Sequence, residues 1–252
     1  MEDKFDRIEK KYLITKDEKK ALLKLIKHNM KRDAYHKSEV MNLYFDNDNY
    51  DLTQQSIDWV DFKEKLRARS YLGYDRVFME IKTKVRAPRR AEDYRDDEWV
   101  EDNIGYKRRV MITNDDFGKL MRGEASLVEL AKQSVEEAND LQVAREFEYL
   151  MRHFELKPKI MVTYERESYK DEAGFRITFD EKLKYRETNL SFVKGRRDKI
   201  YLKDGRNVIM EIKARGALPL WLVRKMSELH IYPQPFSKIG KIYELIRKDQ
   251  NV

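Results

Sequence analysis

The chain has 252 residues, 41% hydrophobic and 39% charged, with no cysteine and a formal net charge of +7. That composition excludes disulfides, thiolate metal sites and a cysteine nucleophile, and no apolar run approaches the roughly 18–20 residues of a membrane span. The 53 basic residues face 46 acidic ones, so the excess is modest and mixed and nucleic-acid binding is not expected from it.

Phe5 to Ile14 reads as a first strand, in which Arg7, Glu9 and Lys11 share a face. Thr15-Lys16-Asp17-Glu18 is a capping-box signature that opens a helix over about 17–29, with Leu22, Leu23, Leu25 and Ile26 as its apolar stripe. Val40 to Phe45 reads as a strand and Asp46-Asn47-Asp48-Asn49 as a turn. Strands over 61–70 and 76–84 flank Tyr71-Leu72-Gly73-Tyr74, where Gly73 supplies the turn geometry. Residues 86–97 read as a polar loop whose Arg89 and Arg90 are within reach of an anion, and Tyr106 to Ile112 as a further strand.

The period then changes. Residues 114–156 read as a helical insertion, with a long amphipathic helix from Val135 to Phe154 closed by Lys157-Pro158, because the residue before proline disfavours helix. Strands resume at 159–167, 175–179, 199–202 and 208–214, and helices near 218–229 and 237–248 follow. No repeat and no low-complexity linker interrupts this order, so one domain over residues 1–252 is expected. Met1 to Arg7 lacks the apolar core of a signal peptide, and a cytoplasmic location is the expectation.

The phase of the charges is the informative feature. Lys63, Lys65, Arg67 and Arg69 occupy one face of a strand, Glu80, Lys82 and Lys84 one face of the next, and Glu211 and Lys213 one face of a later one. Val77, Met79 and Ile81 alternate with the second set. Neighbouring cations on a strand face lie roughly 7 Å apart, which costs about 0.6 kcal/mol per pair in water and about 2.4 kcal/mol at an effective dielectric near 20. A single such strand is explained by a solvated sheet face; several, with glutamates interspersed, point to a lined anion cavity.

Eight short motifs occur in order: Arg7-Ile8-Glu9-Lys10-Lys11-Tyr12-Leu13, Asn42-Leu43-Tyr44-Phe45-Asp46, Lys65-Leu66-Arg67-Ala68-Arg69, Glu80-Ile81-Lys82, Tyr164-Glu165-Arg166, Arg176-Ile177-Thr178-Phe179-Asp180, Glu211-Ile212-Lys213 and Phe236-Ser237-Lys238. The series resembles the VTC (vacuolar transporter chaperone) domain, the polyphosphate polymerase branch of the triphosphate tunnel metalloenzymes. The resemblance implies an α+β fold, a closed antiparallel β-barrel with surrounding helices, whose interior binds triphosphate or polyphosphate and a divalent metal.

By position, Arg67, Arg69, Lys82, Arg166 and Arg176 resemble catalytic cations of that tunnel. Lys11, Lys65, Tyr164, Lys213, Ser237 and Lys238 resemble its phosphate-binding residues. Glu211 resembles the metal-ligating glutamate, for Mn²⁺ or Mg²⁺, and Glu80 is a further candidate that, like Glu9, would equally pair with cations. Ser237 reads also as an ordinary helix N-cap. Arg7 stands where the wider superfamily often has a glutamate, which weakens a multi-carboxylate metal site there. Pro235 stands where eukaryotic relatives often have a basic residue.

The implied activity is transfer of the ATP γ-phosphate to a growing polyphosphate chain. Hydrolysis of triphosphate or nucleoside triphosphate, and non-catalytic sensing of polyphosphate, need the same cationic lining and stay open. The chain has no membrane segment of its own, so any export of product would require a separate membrane partner. His28, His36, His153 and His230 lack zinc-ligand spacing, and no Gly-rich phosphate loop is present.

Overall fold

The computed structural model describes residues 8–58, 60–86, 103–132, 137–192, 198–201 and 206–250. The sequence expectations at Arg7, Arg89 and Arg90 lie outside them. In chain order the elements are β1 (Ile8–Ile14), α1 (Lys16–Asn29), β2 (Lys31–Asp46), α2 (Asp51–Ile57), β3 (Phe62–Tyr71), β4 (Val77–Arg86) and β5 (Asn103–Ile112). Three helices follow: α3 (Asn114–Met121), α4 (Leu127–Ala131) and α5 (Glu137–His153). The rest are β6 (Lys157–Lys170), β7 (Arg176–Arg186), β8 (Lys199–Ile200), β9 (Val208–Ala214), α6 (Leu220–Glu228) and α7 (Lys238–Gln250). No described helix is long and apolar enough to cross a membrane.

The residues group into two compact units. The first is built from Leu43–Arg69 and Asp75–Lys159, the second from Asp6–Asn42, Ser70–Tyr74 and Ile160–Val252. The strands follow the order β1-β9-β7-β6-β2-β3-β4-β5, with β8 on β7. The expected closure into a barrel is not found. Among the described residues β1 pairs with β9 and β5 with β4, and no ladder joins β1 to β5, so the strand order has two ends.

In the second unit, α1 starts as its sequence dictates. Thr15 Oγ1 accepts from the Glu18 N–H at 3.1 Å and Glu18 returns the bond to the Thr15 N–H, satisfying two otherwise orphaned donors. Its stripe, Leu22 and Ile26, is fully buried against Tyr12, Ile14, Ile177, Phe179, Val208, Met210 and Ile212, and α6 adds Leu222 and Met226 to the same core. One face of β1, β9 and β7 is therefore oil, sealed by two helices. Lys19 crosses that side: its ammonium reaches Glu167 on β6 at 2.9 Å and Glu181 on β7.

In the first unit, α4 and α5 pack on β5, and α5 also on β4. Met79, Ile81 and Val110 face that core, with Val143, Phe147 and Leu127 buried from the helix side. The long helix ends at His153, within a residue of the expected Phe154, but Lys157-Pro158 is not what closes it. Glu155 adopts a left-handed φ of 52° and the Leu156 N–H bonds back to the Met151 carbonyl at 2.8 Å, closing the helix; Pro158 lies within β6 instead.

Candidate functional site

The register of the second unit places its charges in rows. Opposed residues of an antiparallel pair share a face. The first row is Glu9, Lys213, Arg176 and Lys170 on β1, β9, β7 and β6. The second is Lys11, Glu211, Thr178 and Ser168, and the third is Leu13, Ile209, Asp180 and Arg166. The intervening rows supply the oil, with Lys10 and Glu167 only at their ends, so the same alternation builds the core on one side and a polar face on the other.

The charges on this face are matched. Lys213 Nζ lies 2.9 Å from Glu211 and 3.3 Å from Glu9, while Lys11 Nζ lies 3.7 Å from Glu9 and donates to the Phe236 carbonyl at 3.0 Å. Asp180, wholly buried, takes a two-pronged guanidinium contact from Arg166 at 2.6 and 2.8 Å and the ammonium of Lys238 at 2.7 Å. Both cations also lie over the Tyr164 ring, at 5.3 and 4.8 Å from its centroid. Arg176 is drawn to the row's end, with Nη2 3.0 Å from Asp33 and Nε donating to Ser168 Oγ at 3.1 Å. Ser237 caps α7, its hydroxyl accepting from the Gly240 N–H at 3.2 Å.

Burial alone would push the Glu211 and Asp180 carboxyls up, but the cations win. Lys213, Arg166, Lys11 and Lys238 hold Glu211 well below the usual carboxylate range. Lys238 and Arg166 hold Asp180 down in the same way. Burial would lower Lys213, yet Glu211 and Glu9 leave it raised, and Asp180 does the same for Lys238. Glu211 and Asp180 therefore stay ionised beside cations that are partly exposed, and the face is an array of paired ions.

The first unit carries a smaller array of the same kind. Glu80, 1% exposed, accepts from Arg67 Nε at 2.7 Å, meets Lys107 Nζ at 2.5 Å and has Arg69 Nε at 3.9 Å. Lys82 stands opposite Lys107 in the β4–β5 ladder, next to the Glu80–Arg109 pair, and Lys65 is half-buried in phase with Arg67 and Arg69. Burial pushes Glu80 up, but Arg67, Arg69 and Lys107 together bring it down to about 2. A carboxylate depressed in the folded state stabilises it fully above its ordinary value and loses that contribution on acidification. Melting temperature should therefore fall from pH 4.5 towards about 2 more steeply in the parent protein than in Glu80→Gln. Equal slopes in that window would show that Glu80 carries no such linkage.

The structure thus brings Lys11, Tyr164, Arg166, Arg176, Glu211, Lys213, Ser237 and Lys238 together in the second unit. It brings Lys65, Arg67, Arg69, Glu80 and Lys82 together in the first. The sequence reading missed three partners: Asp180, which binds two of its cations; Asp33, which holds Arg176; and Lys107, which completes the Glu80 set. Asp180 lay within a quoted motif and in phase with Arg176, which was signal enough. Asp33 had none, because its surroundings lack any alternation.

Among the described residues no group of three or more His, Cys, Asp or Glu gathers as a metal cage. The donors that fit a hard divalent ion are Glu211 and Glu9, two carboxylates meeting one ammonium, with Glu211 held ionised. An ion such as Mg²⁺ is normally completed by waters and phosphate oxygens, so a pair suffices.

Comparison with curated proteins returns no match. Among solved structures, a candidate adenylyl cyclase from Hippeastrum with a dominant triphosphatase activity is 13% identical, with a TM-score of 0.50 over 93% of both chains. A candidate adenylate cyclase from Bacillus halodurans is 14% identical, with a TM-score of 0.47 over 92% of this chain and 96% of its own. The PH1819 protein of Pyrococcus horikoshii is 14% identical, with a TM-score of 0.45 over 94% and 98%. At such identity the Hippeastrum protein shows a shared fold and nothing more. The VTC domain profile matches residues 6–246, nearly the whole length, and the chain belongs to the VTC domain family.

Proposed function

We propose that the protein is a metal-dependent polyphosphate polymerase, moving the γ-phosphoryl group of ATP onto the end of a polyphosphate chain. The observation that carries this reading is the second unit's polar face, where Lys11, Lys213, Arg166, Arg176 and Lys238 are gathered with the buried Glu211 and Asp180. A terminal phosphate oxygen of the chain attacks the γ-phosphorus, the bond to the ADP oxygen breaks, and ADP leaves. No protein nucleophile and no proton transfer are needed. Fixed cations hold donor and acceptor in line and offset the charge on the transferring group.

Arg176 offers a planar fork that matches phosphate oxygens in pairs, Arg166, whose fork is taken by Asp180, adds its charge, and the lysines act as point charges. Glu211 and Glu9 would hold Mn²⁺ or Mg²⁺, which would supply positive charge against the phosphate oxygens.

Incubation with ATP and Mn²⁺ or Mg²⁺, followed by separation of long chains from free phosphate, tests the reading. Long chains and ADP are expected. Free phosphate without chains would make the protein a hydrolase on the same fold, and chain binding without turnover a sensor.

A further inference from the structure

We propose that the Thr178 hydroxyl is a further phosphate-contact group, donating a hydrogen bond to a phosphoryl oxygen of the bound chain. This rests on the reading that the second unit's polar face binds phosphate. Thr178 is 3% exposed, and its Oγ1 is buried with no hydrogen-bond partner among the described residues. Its neighbours are all engaged: Lys213 with Glu211 and Glu9, Arg176 with Asp33 and Ser168, Asp180 with Arg166 and Lys238. A buried hydroxyl left unpaired is costly, and an exception of this kind calls for a missing partner.

Position says what that partner is. Thr178 stands opposite Glu211 on β9 and Ser168 on β6, with Arg176 and Asp180 two residues away on the same face of β7. It is the centre of the array. A phosphate oxygen accepts hydrogen bonds and cannot donate them, and a hydroxyl has one hydrogen to give. A neutral donor there adds a contact without adding to the mutual repulsion of the cations. The side chains of Lys213 and Arg176, which flank Thr178 in the adjacent row, are 37% and 42% exposed, so they are the ones to turn from carboxylate to ligand and open the way.

Thr178→Val keeps the branched shape and removes only the hydroxyl; Thr178→Ser keeps the hydroxyl. Calorimetric titration of both with tripolyphosphate, without metal, separates the outcomes. Thr178→Val is expected to bind about tenfold more weakly than the parent and Thr178→Ser within about twofold of it. The ligand-free melting temperature of Thr178→Val should be unchanged or raised, because no bond within the protein is lost. Unaltered affinity in Thr178→Val would overturn the proposal while leaving the phosphate reading standing. So would a ligand-free melting temperature several degrees lower, which would reveal a protein partner. A parent protein that binds no tripolyphosphate would remove the phosphate reading and this contact together.

Discussion

Glu211→Gln is expected to lower Mn²⁺- or Mg²⁺-dependent turnover of ATP by about a hundredfold or more, the scale on which a single preorganised electrostatic group counts in a dry site. Chain binding in the absence of metal should survive. The substitution takes one negative charge out of a field that includes Lys213, Arg166, Lys11 and Lys238, so the metal-free affinity for polyphosphate should hold or rise. Lys213 retains Glu9 at 3.3 Å, which limits the damage to the fold. Turnover and metal-free binding measured on the same variant decide the matter. Activity near that of the parent protein would reduce Glu211 to a counter-ion of Lys213.

The second large effect is on stability. Asp180→Asn should destabilise the protein by about 3–5 kcal/mol, because it takes from two largely buried cations the carboxylate they touch. Arg166 and Lys238 both converge on that carboxylate, and Glu211 is left as the counter-charge they share with Lys213. In a chain of this size the loss corresponds to a fall in melting temperature on the order of 10 °C. The pH dependence has a definite sign. Asp180 is depressed in the folded state, so its contribution is present above the ordinary aspartate range and is lost as pH falls through the lowered value. Denaturant titration of Asp180→Asn giving a loss under 1 kcal/mol would show that the Tyr164 ring and solvent suffice to hold the two cations.

Where hydrophobic and charged residues alternate cleanly, the sequence already specified the structure. The strands carrying Arg67 and Arg69, Glu80 and Lys82, and Glu211 and Lys213 lie within a residue or two of their expected limits. The capping box placed α1 and the Gly73 turn, with its φ of 80°, joined β3 to β4. The misses share a cause. Residues 31–39 of β2 are polar and mostly solvent-facing, so no period marks them as strand. β7 continues to Arg186, beyond the expected end at Phe179; the expectation stops short because a register shift opposite, between Thr163 and Glu165, and the left-handed Lys182 break the alternation there. Helix α2 was not expected at all. It is fixed by Asp46, whose carboxylate accepts the N–H groups of Leu52 at 3.1 Å and Thr53 at 2.8 Å from six and seven residues upstream. Such a bond is invisible to any local pattern, and it gives the motif ending in Asp46 a structural role.

The in-phase rows also bear on how the chain finds its fold. A slip of β9 by one residue against β7 would exchange Met210 and Ile212 for Glu211 and Lys213 beneath α1 and α6, driving a carboxylate and an ammonium into a core of Leu22, Ile26, Leu222 and Met226. Slipped pairings of a sheet that is oil on one side and ions on the other are thus penalised on both faces at once, by stranded charge within and by exposed apolar side chains without. Uniform replacement of the polar rows by serine or threonine would spare the core yet remove half of that penalty. Misregistered and aggregating species during refolding would then be the first symptom, ahead of any loss of native stability.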